Sequence, residues 1–290
     1  MSPRRQNAEI TEPLSDDDSS AALAAAQQRI IEHPGFREKQ LIDGLARTVY
    51  AVLVPNRDAL LALLDQAATD ANLAVELFQN VRRPAVRTRF EGAVMRGLLN
   101  YVASAMALVE HSRRITRGRS GPIAEEFERR KCETIENPEV LFIQHLRNYV
   151  LHRSLPFIGH EVHLQPRPGV LATSEIKLSV HELTGWDGWP AATKQFIASH
   201  GDAIPLRPIV RRHGDLVVEL NLWLYEQLAD ANVPALEEAN QLVVERNAIL
   251  GGTDLEARRV TETWTRLRES PTLDPSVTAE TLLPRRERSE

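Results

Sequence analysis

The chain is poor in the residues that staple or anchor a protein. It has a single cysteine, Cys132, among 290 residues, so no disulfide can close within it. One thiol fits a reducing compartment. Cys132 sits in the charged run Glu128-Arg129-Arg130-Lys131-Cys132-Glu133 and reads as an incidental thiol on a helix. Long apolar runs are scarce too. No stretch approaches the roughly 20 consecutive apolar residues that span a bilayer. The start, Met1-Ser2-Pro3-Arg4-Arg5, is not followed by an apolar core of the signal-peptide kind. The expectation is a soluble protein that stays in the cytoplasm, with no membrane partner.

Lysine is nearly absent, with only Lys39, Lys131, Lys177 and Lys194. Arginine supplies the remaining positive charge. It is the better bidentate phosphate ligand, but GC-rich coding is the preferred explanation of the bias. The formal net charge is −5, which argues against a coat of positive charge for long duplex DNA. A local basic site is still compatible with it. No glycine-rich phosphate loop is present, so nucleotide-driven chemistry is not expected. The apolar fraction, 42%, is ordinary for a globular chain. The length suits one large domain or two small ones, with a core that needs neither disulfide nor metal.

No cofactor or metal is expected. In His160-Glu161-Val162-His163 the two histidines of a strand point to opposite faces, with no third ligand placed nearby. His181-Glu182 lacks the second histidine of a zinc-protease helix. Ser174-x-x-Lys177 matches an acyl-transfer pattern, but in a predicted strand rather than at a helix start.

The periodicity predicts a mainly α fold. Residues 1–18 read as a polar disordered tail. Helices are expected at Ala21–Glu32, at Arg37–Leu53 (ended by Pro55), and from Asn56 as cap to about Gln79. From Phe90 to Arg114 a long helix is expected, with Val94, Leu98, Tyr101, Ala105, Leu108 and Ser112 on one face. A basic end follows at Arg113, Arg114, Arg117 and Arg119, and a second basic cluster, Arg82, Arg83, Arg87 and Arg89, precedes it. A helix is expected over Ile123–Cys132. The next helix starts on Asn137-Pro138, an asparagine cap with proline at the first helical position, and runs to His152. His160–Leu164 and Ser174–Val180 alternate as a small β-hairpin. Further helices are expected after Trp186–Pro190 to His200, over Pro208–Asp230 and over Pro234–Leu250. The tryptophans Trp186, Trp189 and Trp223 are expected to pack the C-terminal helices on the hairpin. The division expected is 1–18 tail, 19–156 helical domain, 157–250 hairpin plus C-terminal helices packed on it, and 251–290 peripheral helix and flexible tail.

The chemistry concentrates at one helix end, Arg147-Asn148-Tyr149-Val150-Leu151-His152. At about 100° per residue, Phe142, Ile143, Leu146, Tyr149 and Val150 form the core side. Asn148 and His152 are four apart and therefore neighbours on the polar side. Arg147 lies roughly 140° around from His152, within reach of its long side chain. A cation, an amide and an imidazole suit RNA cleavage without a metal. The imidazole moves protons near working pH, and the guanidinium holds the phosphate as charge builds on it. The plainer alternative is that Arg147 and His152 only complement the negative end of their own helix.

Arg147-Asn148, four residues after Arg147, and then His152 late in a helix resemble the signature of the HEPN superfamily. The resemblance covers about residues 85–160. It implies an HEPN-like helical bundle, here with a small inserted β-hairpin, that dimerises with the two motifs meeting at the interface. It implies metal-independent endoribonuclease activity with Arg147, Asn148 and His152 as catalytic residues. His145 and Arg153 are candidate auxiliary groups, and Arg113, Arg114 and Arg117 candidate RNA contacts. Members often act as bacterial toxins with an antitoxin or in phage defence. Inactive members only bind, so a silent dimeric binding or regulatory module stays open.

Overall fold

The computed structural model describes residues 16–78, 84–156, 158–167 and 170–249. Residues 1–15 of the expected tail, Arg82 and Arg83, and the expected peripheral helix and tail over 251–290 lie outside these. The chain divides into two compact units, residues 1–40 with 232–290 and residues 41–231. The division expected between 156 and 157 therefore falls inside the second unit, which holds the hairpin and the motif helix together.

The first unit is built on α1 (Asp16–Glu32) and α11 (Val233–Ile249), which pack against each other. Helix α1 begins at Asp16, so residues 16–18, expected to belong to the disordered tail, are helical. Arg29 bridges to Glu245 at 3.1 Å, and Arg246 donates to Gln27 at 3.1 Å. Gly35 is required where the backbones meet, because a Cβ there would lie 2.0 Å from the Ala235 carbonyl oxygen. Helix α2 (Pro34–Arg47) carries the chain into the second unit, the division falling after Gln40.

In the second unit Pro55 does not end a helix as expected. A π-helical stretch, Thr48–Leu53, joins α2 to α3 (Val54–Thr69), with Pro55 in the first turn of α3. There a missing N–H costs little, and the wider turn absorbs it: the Val54 N–H reaches back five residues to the Val49 carbonyl. Asn56 is not a cap; its Nδ2 donates to the Val52 carbonyl. The expected third helix is instead two, broken at Asp70. The Asp70 carboxylate accepts from the N–H groups of Asn72 and Leu73, each at 3.0 Å, and so starts α4 (Ala71–Phe78).

Helix α5 (Pro84–Thr116) buries the whole stripe read from the sequence: Val94, Leu98, Tyr101, Ala105, Leu108 and Ser112. It is also long and apolar enough to cross a membrane, contrary to the expectation from the sequence. Its buried stripe packs against the π-helical stretch and α3 as a core helix does. Helices α6 (Pro122–Glu136) and α7 (Pro138–His152) follow. Strands β1 (Ile158–Arg167) and β2 (Val170–Ser179) pair antiparallel, with His160 opposite Ile176 and Val162 opposite Ser174. A third strand, β3 (Ala203–Pro205), adds to β2 and was not foreseen. Three residues of edge strand are too short for period-two alternation to register. Short helices α8 (Val180–Thr184) and α9 (Ala191–Ala198) precede α10 (Leu206–Ala231). The protein is mainly α with a small three-stranded antiparallel sheet.

The core holds polar pairs. Tyr101 Oη lies 2.5 Å from His213 Nδ1 and donates to the Val210 carbonyl at 3.2 Å. A hydroxyl has one proton, so with that proton on Val210 the imidazole Nδ1–H donates to Oη. Burial pushes His213 down to about 3, keeping it neutral, and holds the Tyr101 hydroxyl well above its usual range. About three turns further along α5 and two along α10, Ser112 donates to Asn221 Oδ1 at 2.5 Å.

Candidate functional site

Helix α7 starts as the sequence requires. The Asn137 side chain accepts from the Glu139 N–H at 2.9 Å, and Pro138 fills the first turn. Phe142, Ile143, Leu146 and Tyr149 are buried, while Val150 is half-buried. Full burial of each such side chain contributes roughly 1.5–3 kcal/mol. The helix is held by α5, α6, α9 and α10. It ends on Arg153, whose N–H still bonds the Tyr149 carbonyl at 2.8 Å while its backbone leaves the helical region.

Trp186 and Trp189 pack against α7. Trp189 is buried, donates to the Leu183 carbonyl at 2.7 Å, and stacks on Phe142 with centroids 6.0 Å apart. Trp186 meets Tyr149 edge-on at 5.6 Å. Gly188 leaves room for it, since a Cβ there would fall 2.2 Å from the Trp186 ring. Trp223 lies under the Arg130 guanidinium of α6, 4.6 Å from the ring centroid. Aromatic residues far along the chain thus fix the flank of α7 that carries Tyr149.

The opposite arc of α7 is open. Arg147, Leu151 and His152 are exposed and Asn148 is half-buried. On the helical wheel the order around this arc is Arg147, Leu151, Asn148, His152, spread over roughly 140°. Among the described residues none gives the side chains of Arg147, Asn148 or His152 a hydrogen bond or an ion pair. Leu151 and Leu155 are 59% and 52% exposed, so large apolar side chains stand between and beside the polar ones. The sequence reading missed this, because a leucine next to a core face is ordinarily counted with the core.

The auxiliary candidates fare differently. His145 is half-buried, with Nδ1 2.6 Å from Thr193 Oγ1 on α9, and burial lowers its affinity for a proton. It is tied into the packing and is not presented with the open arc. Arg153 is exposed at the helix end. Arg113, Arg114 and Arg117 cluster on the exposed end of α5, with Arg113 bridged to Glu110 at 2.8 Å. No hydrogen bond or ion pair among the described residues joins them to Arg147 or His152. His160 faces Glu91 of α5, Nε2 to Oε1 2.9 Å, beside the Arg87–Glu91 bridge. Among the described residues no three His, Cys, Asp or Glu side chains gather as a metal site would need. No protein-family model, no curated protein and no solved structure matches the chain.

Proposed function

We propose that this protein is a metal-independent endoribonuclease of HEPN type, working in the cytoplasm as a homodimer in a toxin–antitoxin or phage-defence role. The observation that carries the reading is the open arc of α7. Arg147, Asn148 and His152 stand on a rigidly packed helix with their functional groups unspent on the protein itself. Side chains that only capped their own helix would be engaged with its last carbonyls or with neighbouring carboxylates.

In this reading the imidazole of one His152 takes the 2′-hydroxyl proton of the RNA. The 2′-oxygen then attacks the adjacent phosphorus, and the bond to the 5′-oxygen breaks. The protonated His152 of a second copy gives its proton to that leaving oxygen. Arg147 neutralises the charge gathering on the phosphoryl oxygens, and Asn148 orients substrate or imidazole. The products are a 2′,3′-cyclic phosphate and a 5′-hydroxyl. The exposed Leu151 supports an arrangement in which a second copy covers this arc and completes the acid–base pair.

The test is a mixed RNA pool incubated in EDTA with the protein and with its Arg147→Ala/His152→Ala variant. Cleavage that persists in EDTA and falls by about 10²-fold or more in the variant is expected. Cleavage by both assigns it to another site. Absence of cleavage, with a stable dimer, favours the second reading that Leu151 and Leu155 also suit: a catalytically silent dimeric module whose RNA, antitoxin or regulatory partner binds through this face.

A further inference from the structure

Away from the α7 arc, one imidazole is shut between the hairpin and α5. His160 stands opposite Ile176 and shares a strand face with Ile158, Ser174 and Leu178, since alternate strand residues point the same way. That face is turned inward. Ile158, Ser174, Ile176 and Leu178 are buried, and the His160 side chain is 5% exposed. We propose that His160 is an acid-sensitive latch, and that a proton taken at its Nδ1 loosens strand β1 from α5.

The partners fix where the imidazole proton sits. His160 Nε2 lies 2.9 Å from Glu91 Oε1, and Arg87 Nε meets the same oxygen at 2.7 Å. The guanidinium keeps Glu91 ionised, and an ionised carboxylate only accepts, so the imidazole carries its proton on Nε2. Nδ1 is then a bare acceptor, buried and unpartnered among the described residues, as is Ser174 Oγ on the same face. A second proton has to enter at Nδ1. Glu91 already has its counter-charge in Arg87, so an imidazolium here is a second cation on one carboxylate. Burial disfavours that charge and Arg87 repels it, against the pull of Glu91, and the balance holds His160 below its ordinary value.

Among the described residues, the charges acting on this ring are Glu91 and Arg87 of α5. Glu161 of β1 and Glu175 and Lys177 of β2 alternate to the other face of the hairpin, where Lys177 bridges both carboxylates. Helix α4, which also packs on β1, carries one ionisable side chain, Glu76. The strand order β1-β2-β3 makes β1 an edge strand, so it can move while β2 stays paired with β3. A histidine that the fold keeps neutral contributes stability above its ordinary value of 6.5, and that contribution is lost as pH falls. The latch is therefore closed at neutral pH and weakens on acidification. It is independent of the nuclease reading.

Amide hydrogen exchange of the full chain between about pH 7.5 and about pH 5, corrected for the intrinsic rate, tests this. Protection of the β1 amides should fall by about threefold or more on acidification, while that of α5 and α10 holds. His160→Gln keeps an N–H donor for Glu91 but does not titrate, so the fall should vanish. Arg87→Gln leaves Glu91 free to pair with an imidazolium, so the fall should shrink. On the unsubstituted protein, nitrogen-15 NMR near pH 7.5 should show a neutral His160 ring with its proton on Nε2. Protection of β1 that does not change with pH overturns the proposal, as does an undiminished fall in His160→Gln or Arg87→Gln. A His160 ring that is doubly protonated near pH 7.5, or protonated on Nδ1 alone, overturns it without any substitution.

Discussion

The ring of Tyr149 lies on that of Trp189, centroids 5.3 Å apart and planes 12° from parallel. One residue before Tyr149 is Asn148, on the open arc, so this stack sets how the motif helix is rotated. Removing the indole leaves a large cavity and takes one of its donors from the Leu183 carbonyl. Trp189→Ala should cost roughly 3–5 kcal/mol in equilibrium denaturation.

His213 makes stability depend on pH. Its ordinary value is 6.5, and burial lowers it to about 3 in the folded chain. Between these values the unfolded chain binds the proton that the folded one refuses. The contribution is present above about pH 6.5 and is lost as pH falls toward 3. Denaturation midpoints of the protein should therefore drop on acidification across this window. The drop should be smaller in His213→Gln, and a variant with an unchanged slope contradicts the assignment.

Leu151 and Leu155 should matter for association and not for folding. Leu151→Glu with Leu155→Glu is expected to convert a dimer to a monomer in sedimentation equilibrium. Being exposed, the two positions should move stability by only about 0.5 kcal/mol each. A wild-type monomer at all concentrations removes the homodimer.

The start of the motif helix rests on a short local contact. Asn137→Ala withdraws the acceptor from the Glu139 N–H and should cost about 1 kcal/mol, read from the same denaturation curves.

Arg147→Ala and His152→Ala, by contrast, should each leave the denaturation midpoint nearly unchanged, within about 0.5 kcal/mol. Any loss of RNA cleavage in them then reports chemistry, and a large fall in stability would instead mark the two as structural.

What was legible in the chain was local. The stripe from Val94 to Ser112 recurs at helical spacing, and all of it is buried, because a helix of that length has to turn one face inward. Asn137-Pro138 announced the start of α7, since capping is settled within three residues. Pro55 and Asn56 misled for the converse reason. Both carry strong local signals, but packing of the π-helical stretch against α3 and α5 kept the chain helical through them. Asp70, read as part of a helix, was the real cap.

The sequence by itself determined that the chain is mainly helical, where its long helices lie, and that Arg147, Asn148 and His152 share a helix end. Those follow from periodicity and capping, which depend on neighbours three and four residues away. Only the tertiary structure decided that the three stand open while His145 is tied to Thr193, and that Trp186 and Trp189 pack on Tyr149 of α7. These depend on contacts between residues tens of positions apart, which no local period encodes.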